Sequence, residues 1–204
     1  MKTPEPIVDT RSDIQIEALD PAAVEVQALI AASDAFYDGL YPEESNHLEA
    51  LDDLDRSNVL FFGCRVNGNL VASGAAKLMD DDGDYAEIKR VFVLDNYRGQ
   101  GLSAKIMNHL EFELQRRGVR LSRLETGVLQ PEALGLYRKL GYRERGPFGA
   151  YGTDPLSVFM EKMIFAENAL RGDWFAFNPG EPSNGETSTG YMLMVAAYMW
   201  LFGM

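Results

Sequence analysis

Asp95-Asn96-Tyr97-Arg98-Gly99-Gln100-Gly101-Leu102-Ser103 is a polar, glycine-bearing loop set between two regular segments. Before it, Tyr85 to Leu94 carries Ile88, Val91, Phe92 and Val93 and predicts a strand. After it, Leu102, Ile106, Leu110 and Leu114 recur every four residues and predict a helix from about Leu102 to Arg117, with Gly118 just past its end. Glycines let successive backbone N–H groups turn the same way and approach a ligand closely. The helix N-terminus behind them adds partial positive charge. Strand, loop and helix together predict a pyrophosphate cradle, with Arg98 and Lys105 at its edge.

Upstream, Ile14 to Glu17 alternates as a strand does, and Asp20-Pro21 predicts a helix start ahead of Val24, Val26, Leu29, Ile30 and Ala35. A second, shorter helix is expected around His47 to Asp53. Val59 to Val66 and Leu70 to Met79 flank Asn67-Gly68-Asn69, a hairpin signal because Asn and Gly accept positive φ. Downstream come a strand over Val119 to Val128, a helix over Pro131 to Leu140 with Gly141 beyond it, and strands at Tyr142 to Arg145 and Ser157 to Ile164. The order β-α-α-β-β-β-α-β-α-β-β predicts an α+β fold: a mixed, mostly antiparallel sheet with one parallel crossover near its middle and flanking helices.

Three stretches follow: a loose leader over residues 1–11, one domain over 12–165, and an extension over 166–204. The extension ends in the apolar Tyr191 to Met204, shorter than the ~20 residues a membrane span needs. It is expected to pack on the domain or on a second copy, which leaves a homodimer open. At 204 residues the chain has room for one sizeable core. A net charge of -12 opposes binding to nucleic acid and to anionic membranes. The single cysteine, Cys64, rules out a disulfide within the chain and fits a reducing compartment. The first residues lack the apolar core of a signal peptide, and a cytoplasmic location is expected. One cysteine and two scattered histidines, His47 and His109, provide no metal-ligand spacing, so no metal is expected.

Two ligand classes suit the cradle. Gly99-x-Gly101-x-x-Ala104 matches a permissive dinucleotide fingerprint, and Glu125 lies about 20 residues on, where that motif wants an acid. Against it, Asp95 to Arg98 separate strand from glycines, three antiparallel strands come first, and too little chain remains for a second half. The other class is coenzyme A. Arg98, Gly101 and Ser103 fall where motif A of the GNAT superfamily of N-acetyltransferases has arginine or glutamine, glycine, and glycine or alanine. Serine is a departure at the last place. Leu136-Tyr137-Arg138-Lys139-Leu140-Gly141-Tyr142 resembles the family's motif B, and the strand order resembles its fold over about residues 12 to 165.

The resemblance implies an acetyl-CoA-dependent N-acetyltransferase acting by direct attack in a ternary complex. It implies that Phe92, Val93 and Leu94 offer backbone amides to the pantetheine arm. Arg98, Gly99, Gln100, Gly101, Leu102 and Ser103 would surround the pyrophosphate. Gln130 stands where family members usually carry asparagine. Acyl transfer needs a deprotonated amine, a stabilised oxyanion and a tolerated thiolate. By resemblance Glu87, on the strand that enters the glycine loop, is the candidate base, Tyr137 the candidate acid, and the Val93 N–H the oxyanion donor. The residues alone equally allow Glu87 to pair with Lys89 or Arg90, and Tyr137 to share a core face with Ala133, Leu134 and Leu140. Tyr37, Tyr41 and Glu43, with Phe148 and Tyr151, would frame the amine acceptor. The rival of another class is a non-catalytic acyl-CoA-binding sensor module.

Overall fold

Asn67 and Gly68 take left-handed φ values of 51° and 82° in the computed structural model. They close β2 (Val59–Val66) on β3 (Asn69–Met79) in the tight hairpin their side chains favour. The structure describes residues 13–42 and 51–164. Around the hairpin lie β1 (Ile14–Ala18), α1 (Val24–Asp38), β4 (Tyr85–Val93), α2 (Leu102–Arg116), β5 (Leu121–Gly127), α3 (Pro131–Lys139), β6 (Arg143–Arg145) and β7 (Ser157–Met163). They build one seven-stranded sheet in the order β1-β2-β3-β4-β5-β7-β6. Every neighbouring pair is antiparallel except β4–β5, so the expected mixed α+β sheet with one parallel crossover is the observed one.

One local expectation is corrected. The Asp20 carboxylate accepts from the Ala22 N–H at 2.8 Å, so it caps a turn rather than the helix. α1 starts at Val24 after an extended Ala23. Of the short helix expected around His47, the described part is a 3-10 turn at Leu51–Asp55. Glu43 and the apolar stretch 191–204 lie outside the described residues.

The helices cover both faces of the sheet. Leu102, Ile106, Met107, Leu110 and Leu114 of α2 are buried against Ala72, Ala76, Ile88, Leu124 and Met160. Burying each such leucine stabilises the fold by about 1.5–3 kcal/mol. Gly74 lets α2 come close, since a Cβ there would stand 2.5 Å from the Ile106 Cγ2. On the other face Val26 and Ile30 of α1 pack with Leu54, Phe61 and Ala75. No helix among the described residues is long and apolar enough to cross a membrane.

Two irregularities of β4 create the site. Ser73 faces Phe92 and Ala75 faces Lys89, so Arg90 and Val91 together oppose Gly74. This is a bulge, and Arg90 takes a left-handed φ of 56° within it. That conformation costs an L-residue about 1–2 kcal/mol. It is offset by the Arg90 ion pair with Asp34 of α1 and by the Ser73 hydroxyl, which donates to the Arg90 carbonyl at 3.1 Å. In addition, β4 pairs with β5 only through Ala86, Glu87 and Ile88, against Ser122, Arg123 and Leu124. Past Ile88 the two strands part.

Candidate active site

A groove of about 500 Å³ opens where β4 and β5 separate. Val91, Phe92 and Val93 form one wall, and Gln130, Ala133, Leu136 and Tyr137 of α3 the other. Arg98, Gly99, Gly101, Leu102 and Ser103 line its glycine-loop end, Phe36 of α1 lies beside the Arg98 guanidinium, and Tyr37 lines it beside Val91. Most of the residues expected to hold the cofactor therefore meet in one place.

Gly99 and Gly101 have φ values of 76° and 74°. A Cβ at either would meet nothing within 4 Å, so glycine is required here by conformation and not by space. Gly101 is the N-cap of α2 and no side chain caps that terminus. The first bond into the helix is Lys105 N–H to the Gly101 carbonyl at 3.1 Å, which leaves the first-turn N–H groups directed at the groove mouth. Gly101→Val should raise the dissociation constant of coenzyme A about 5- to 30-fold, the equivalent of the left-handed strain, with little change in Tm. Calorimetry and a thermal melt read both quantities.

Three of the residues expected to offer cofactor contacts are placed otherwise, the Phe92 amide among them because it lies on the β3 side of β4, as the Leu94 amide does. Gln100 is exposed and is not one of its lining residues. The Leu94 N–H donates to the Val71 carbonyl of β3 at 2.9 Å and so points away from the gap. Peptide directions alternate along a strand, so the same bond turns the Val93 N–H and carbonyl toward the gap. The Val93 carbonyl accepts from Arg98 Nε at 3.1 Å. The Arg98 guanidinium lies 4.4 Å from the Phe36 ring centroid and pairs with Asp95 at 2.9 Å.

Glu87 is 4% exposed. Its Oε1 accepts from the Tyr151 hydroxyl at 2.5 Å and from Lys89 Nζ at 3.1 Å, and Lys89 Nζ also donates to the Tyr151 oxygen at 2.9 Å. The carboxylate thus takes the Lys89 pairing that the sequence allowed and is backed by the loop after β6. Phe148, expected as an acceptor contact, is instead a core residue: it is 3% exposed and packs edge-on against Tyr85 at 5.6 Å and Phe159 at 5.8 Å. Tyr151 meets it edge-on at 5.1 Å and keeps its hydroxyl at Glu87.

Tyr137 belongs to both worlds that its sequence position allowed. Its ring is 7% exposed and rests on Tyr142 at 5.9 Å, yet it lines the groove. Burial pushes its phenol well above the ordinary tyrosine value, and Tyr37 and Glu125 add to the rise. Tyr37, expected at the acceptor, lines the groove: its hydroxyl donates to the Val91 carbonyl at 3.3 Å, and burial pushes its pKa up to about 12. Tyr41 accepts from the Leu129 N–H at 2.9 Å and from the Gln130 amide at 3.5 Å. A Cβ at Gly127 would overlap the Tyr41 ring, so glycine at the end of β5 makes room for it.

Sequence reasoning missed Glu125 as a residue of this site, having weighed it only as the acid of a dinucleotide motif. It is half-buried, its Oε1 accepts from the Ser157 hydroxyl at 2.6 Å, and its charge raises the pKa of both Tyr37 and Tyr137. The available signal was parity. Arg123 opposes Glu87, and Glu125 lies two residues further along β5 on the same face, toward the opening.

Among the described residues no cluster of three or more His, Cys, Asp or Glu side chains could hold a metal ion. His109 packs edge-on against Phe62 at 4.5 Å, a structural placement.

The profile of the acetyltransferase (GNAT) family matches residues 26–142. An IAA acetyltransferase from Azospirillum brasilense is 41% identical over 152 residues, which cover 74% of this chain and 99% of that protein. A Klebsiella pneumoniae structure assigned to the acyl-CoA N-acyltransferases superposes with a TM-score of 0.62 at 36% identity, over 74% of this chain and 97% of that one. The PaiA N-acetyltransferase of Thermoplasma acidophilum, solved in complex with coenzyme A, shares the fold at a TM-score of 0.55 and 18% identity, over 74% of this chain and 99% of that one. A family match across more than half the chain, joined to a relative alike along nearly its whole length, establishes that this chain belongs to the acetyltransferase (GNAT) family of acyl-CoA-dependent N-acetyltransferases.

Proposed function

We propose that the chain transfers the acetyl group of acetyl-CoA to a primary amine of a small-molecule or peptide acceptor, by direct attack in a ternary complex within the domain of residues 12–165. The observation that carries the reading is that one groove joins an uncapped helix N-terminus, an outward-facing Val93 peptide and the Tyr137 hydroxyl. The residues present fit coenzyme A: left-handed glycines at the mouth for a pyrophosphate, and a parted strand edge for a pantetheine arm. When bound, acetyl-CoA supplies an activated thioester.

The chain's own groups take the remaining roles. The Val93 N–H donates to the developing oxyanion. Tyr137, kept protonated by burial, donates to the departing sulfur. Glu87 accepts the amine's proton, with Tyr151 and Lys89 holding its carboxylate in place. A specific observation favours a second assignment of the base. Glu125, not Glu87, is the carboxylate that raises the pKa of both Tyr37 and Tyr137, two of the groove-lining hydroxyls. Tyr41, Tyr151 and Glu43 remain the proposed acceptor frame.

Calorimetric titration with acetyl-CoA, followed by an amine panel and a thiol-release assay, tests the reading. Micromolar binding with thiol release on at least one amine is the expected result. Binding with no release on any amine would favour the sensor module, and absence of binding would remove the groove assignment altogether.

A further inference from the structure

The inner end of the groove is the place where an acyl chain would have to go. Peptide groups of β4 face the gap in order from the glycine loop inward. First is Val93, whose carbonyl accepts from Arg98, and then Val91, whose carbonyl accepts from the Tyr37 hydroxyl at 3.3 Å. The glycine loop follows the C-terminal end of β4. A ligand with its pyrophosphate at that loop therefore runs its arm back along β4, past Val93 and toward Val91. Tyr137 lines the same stretch, and Tyr37 adds to the rise of its phenol pKa.

Tyr37 is held there from several sides. Its ring meets Phe36 edge-on at 5.3 Å and Phe92 at 6.5 Å. Its single O–H is committed to the Val91 carbonyl. A side chain gripped by two rings and a hydrogen bond is a wall, and moving it leaves a carbonyl in the groove without that partner.

We propose that Tyr37 sets the acyl-chain length, its ring and its bond to Val91 closing the groove just beyond a two-carbon acyl group. The inference rests on the reading that the groove takes an acyl-CoA, and it adds which acyl-CoA. A longer chain must either displace the Tyr37 ring or withdraw its own arm from the Val93 edge. Pockets of this kind discriminate about 10- to 200-fold per methylene.

The test uses the whole chain and three probes: coenzyme A, acetyl-CoA and butyryl-CoA, titrated by calorimetry. Wild type is expected to bind butyryl-CoA at least about tenfold more weakly than acetyl-CoA. Tyr37→Ala is expected to bring the ratio of the two close to one, each affinity being normalised to that of unacylated coenzyme A. Tyr37→Phe keeps the ring but loses the bond to Val91, and its ratio should fall between. If Tyr37→Ala fails to fold by circular dichroism, Tyr37→Leu carries the same comparison. Equal wild-type affinity for the two thioesters, or a ratio unchanged in Tyr37→Ala or Tyr37→Leu, overturns the proposal while leaving the groove assignment intact. Failure of coenzyme A itself to bind wild type overturns both.

Discussion

Replacing Tyr137 with phenylalanine should lower turnover by about 10²-fold or more while the affinity for coenzyme A stays close to that of wild type, since a positioned general acid contributes on that scale. The ring remains in the Tyr137→Phe variant, so its packing on Tyr142 and its place on the buried side of α3 are kept. Only the hydroxyl is lost, and among the described residues that hydroxyl makes no hydrogen bond whose loss would disturb the fold. The pH dependence has a definite sign. The phenol acts in its protonated form, and burial raises its pKa above the ordinary ~10. The acid form is therefore fully present at neutral pH and persists above pH ~10. A wild-type alkaline limb starting below that point would belong to another group, and it should survive in Tyr137→Phe. Steady-state kinetics over a pH series, with calorimetry for the cofactor, checks both statements. Turnover unchanged by the substitution would reduce Tyr137 to a core residue.

The second large effect distinguishes the two carboxylates. Glu87→Gln should lower kcat/KM at neutral pH by about 10²- to 10³-fold, because an amide cannot accept the amine's proton. It should also cost stability of about 1–3 kcal/mol, since a buried carboxylate that receives Tyr151 and Lys89 becomes a neutral amide. Glu125→Gln keeps an oxygen that can accept from the Ser157 hydroxyl and should chiefly raise the KM of the amine. The reverse pattern, with the larger loss of kcat/KM in Glu125→Gln, would move the base to β5. The paired comparison of Tm, KM and kcat/KM is informative because Glu87 is held by Tyr151 and Lys89 whereas Glu125 accepts from Ser157.

Most of the architecture was legible without coordinates because it is written in short-range patterns. The fourfold spacing of Leu102, Ile106, Leu110 and Leu114 makes α2 amphipathic wherever it lies. Asn67-Gly68 closes a hairpin for reasons internal to two residues. Gly99 and Gly101 announce left-handed backbone at the start of α2, and with it the cradle. The groove residues on β4, the glycine loop and α3 were found together because all of them flank these local signals.

What the tertiary structure alone decided depends on register and on partners far along the chain. One extra residue at Arg90 sets which amides of β4 face the gap. That is why the Leu94 N–H goes to β3 and the Val93 peptide does not, a distinction no composition or spacing carries. The Glu87 carboxylate meets Tyr151, 64 positions away, only because the loop after β6 folds back over β4. Tyr37 reaches Val91 across 54 positions because the bulge brings that carbonyl to α1. Glu125 enters the site because β5 diverges from β4 after a single short stretch of pairing. Local sequence therefore determined which elements form and where the left-handed glycines of the loop before α2 lie. Long-range packing, which couples a one-residue bulge to the direction of every peptide beyond it, decided which groups face the reacting centre.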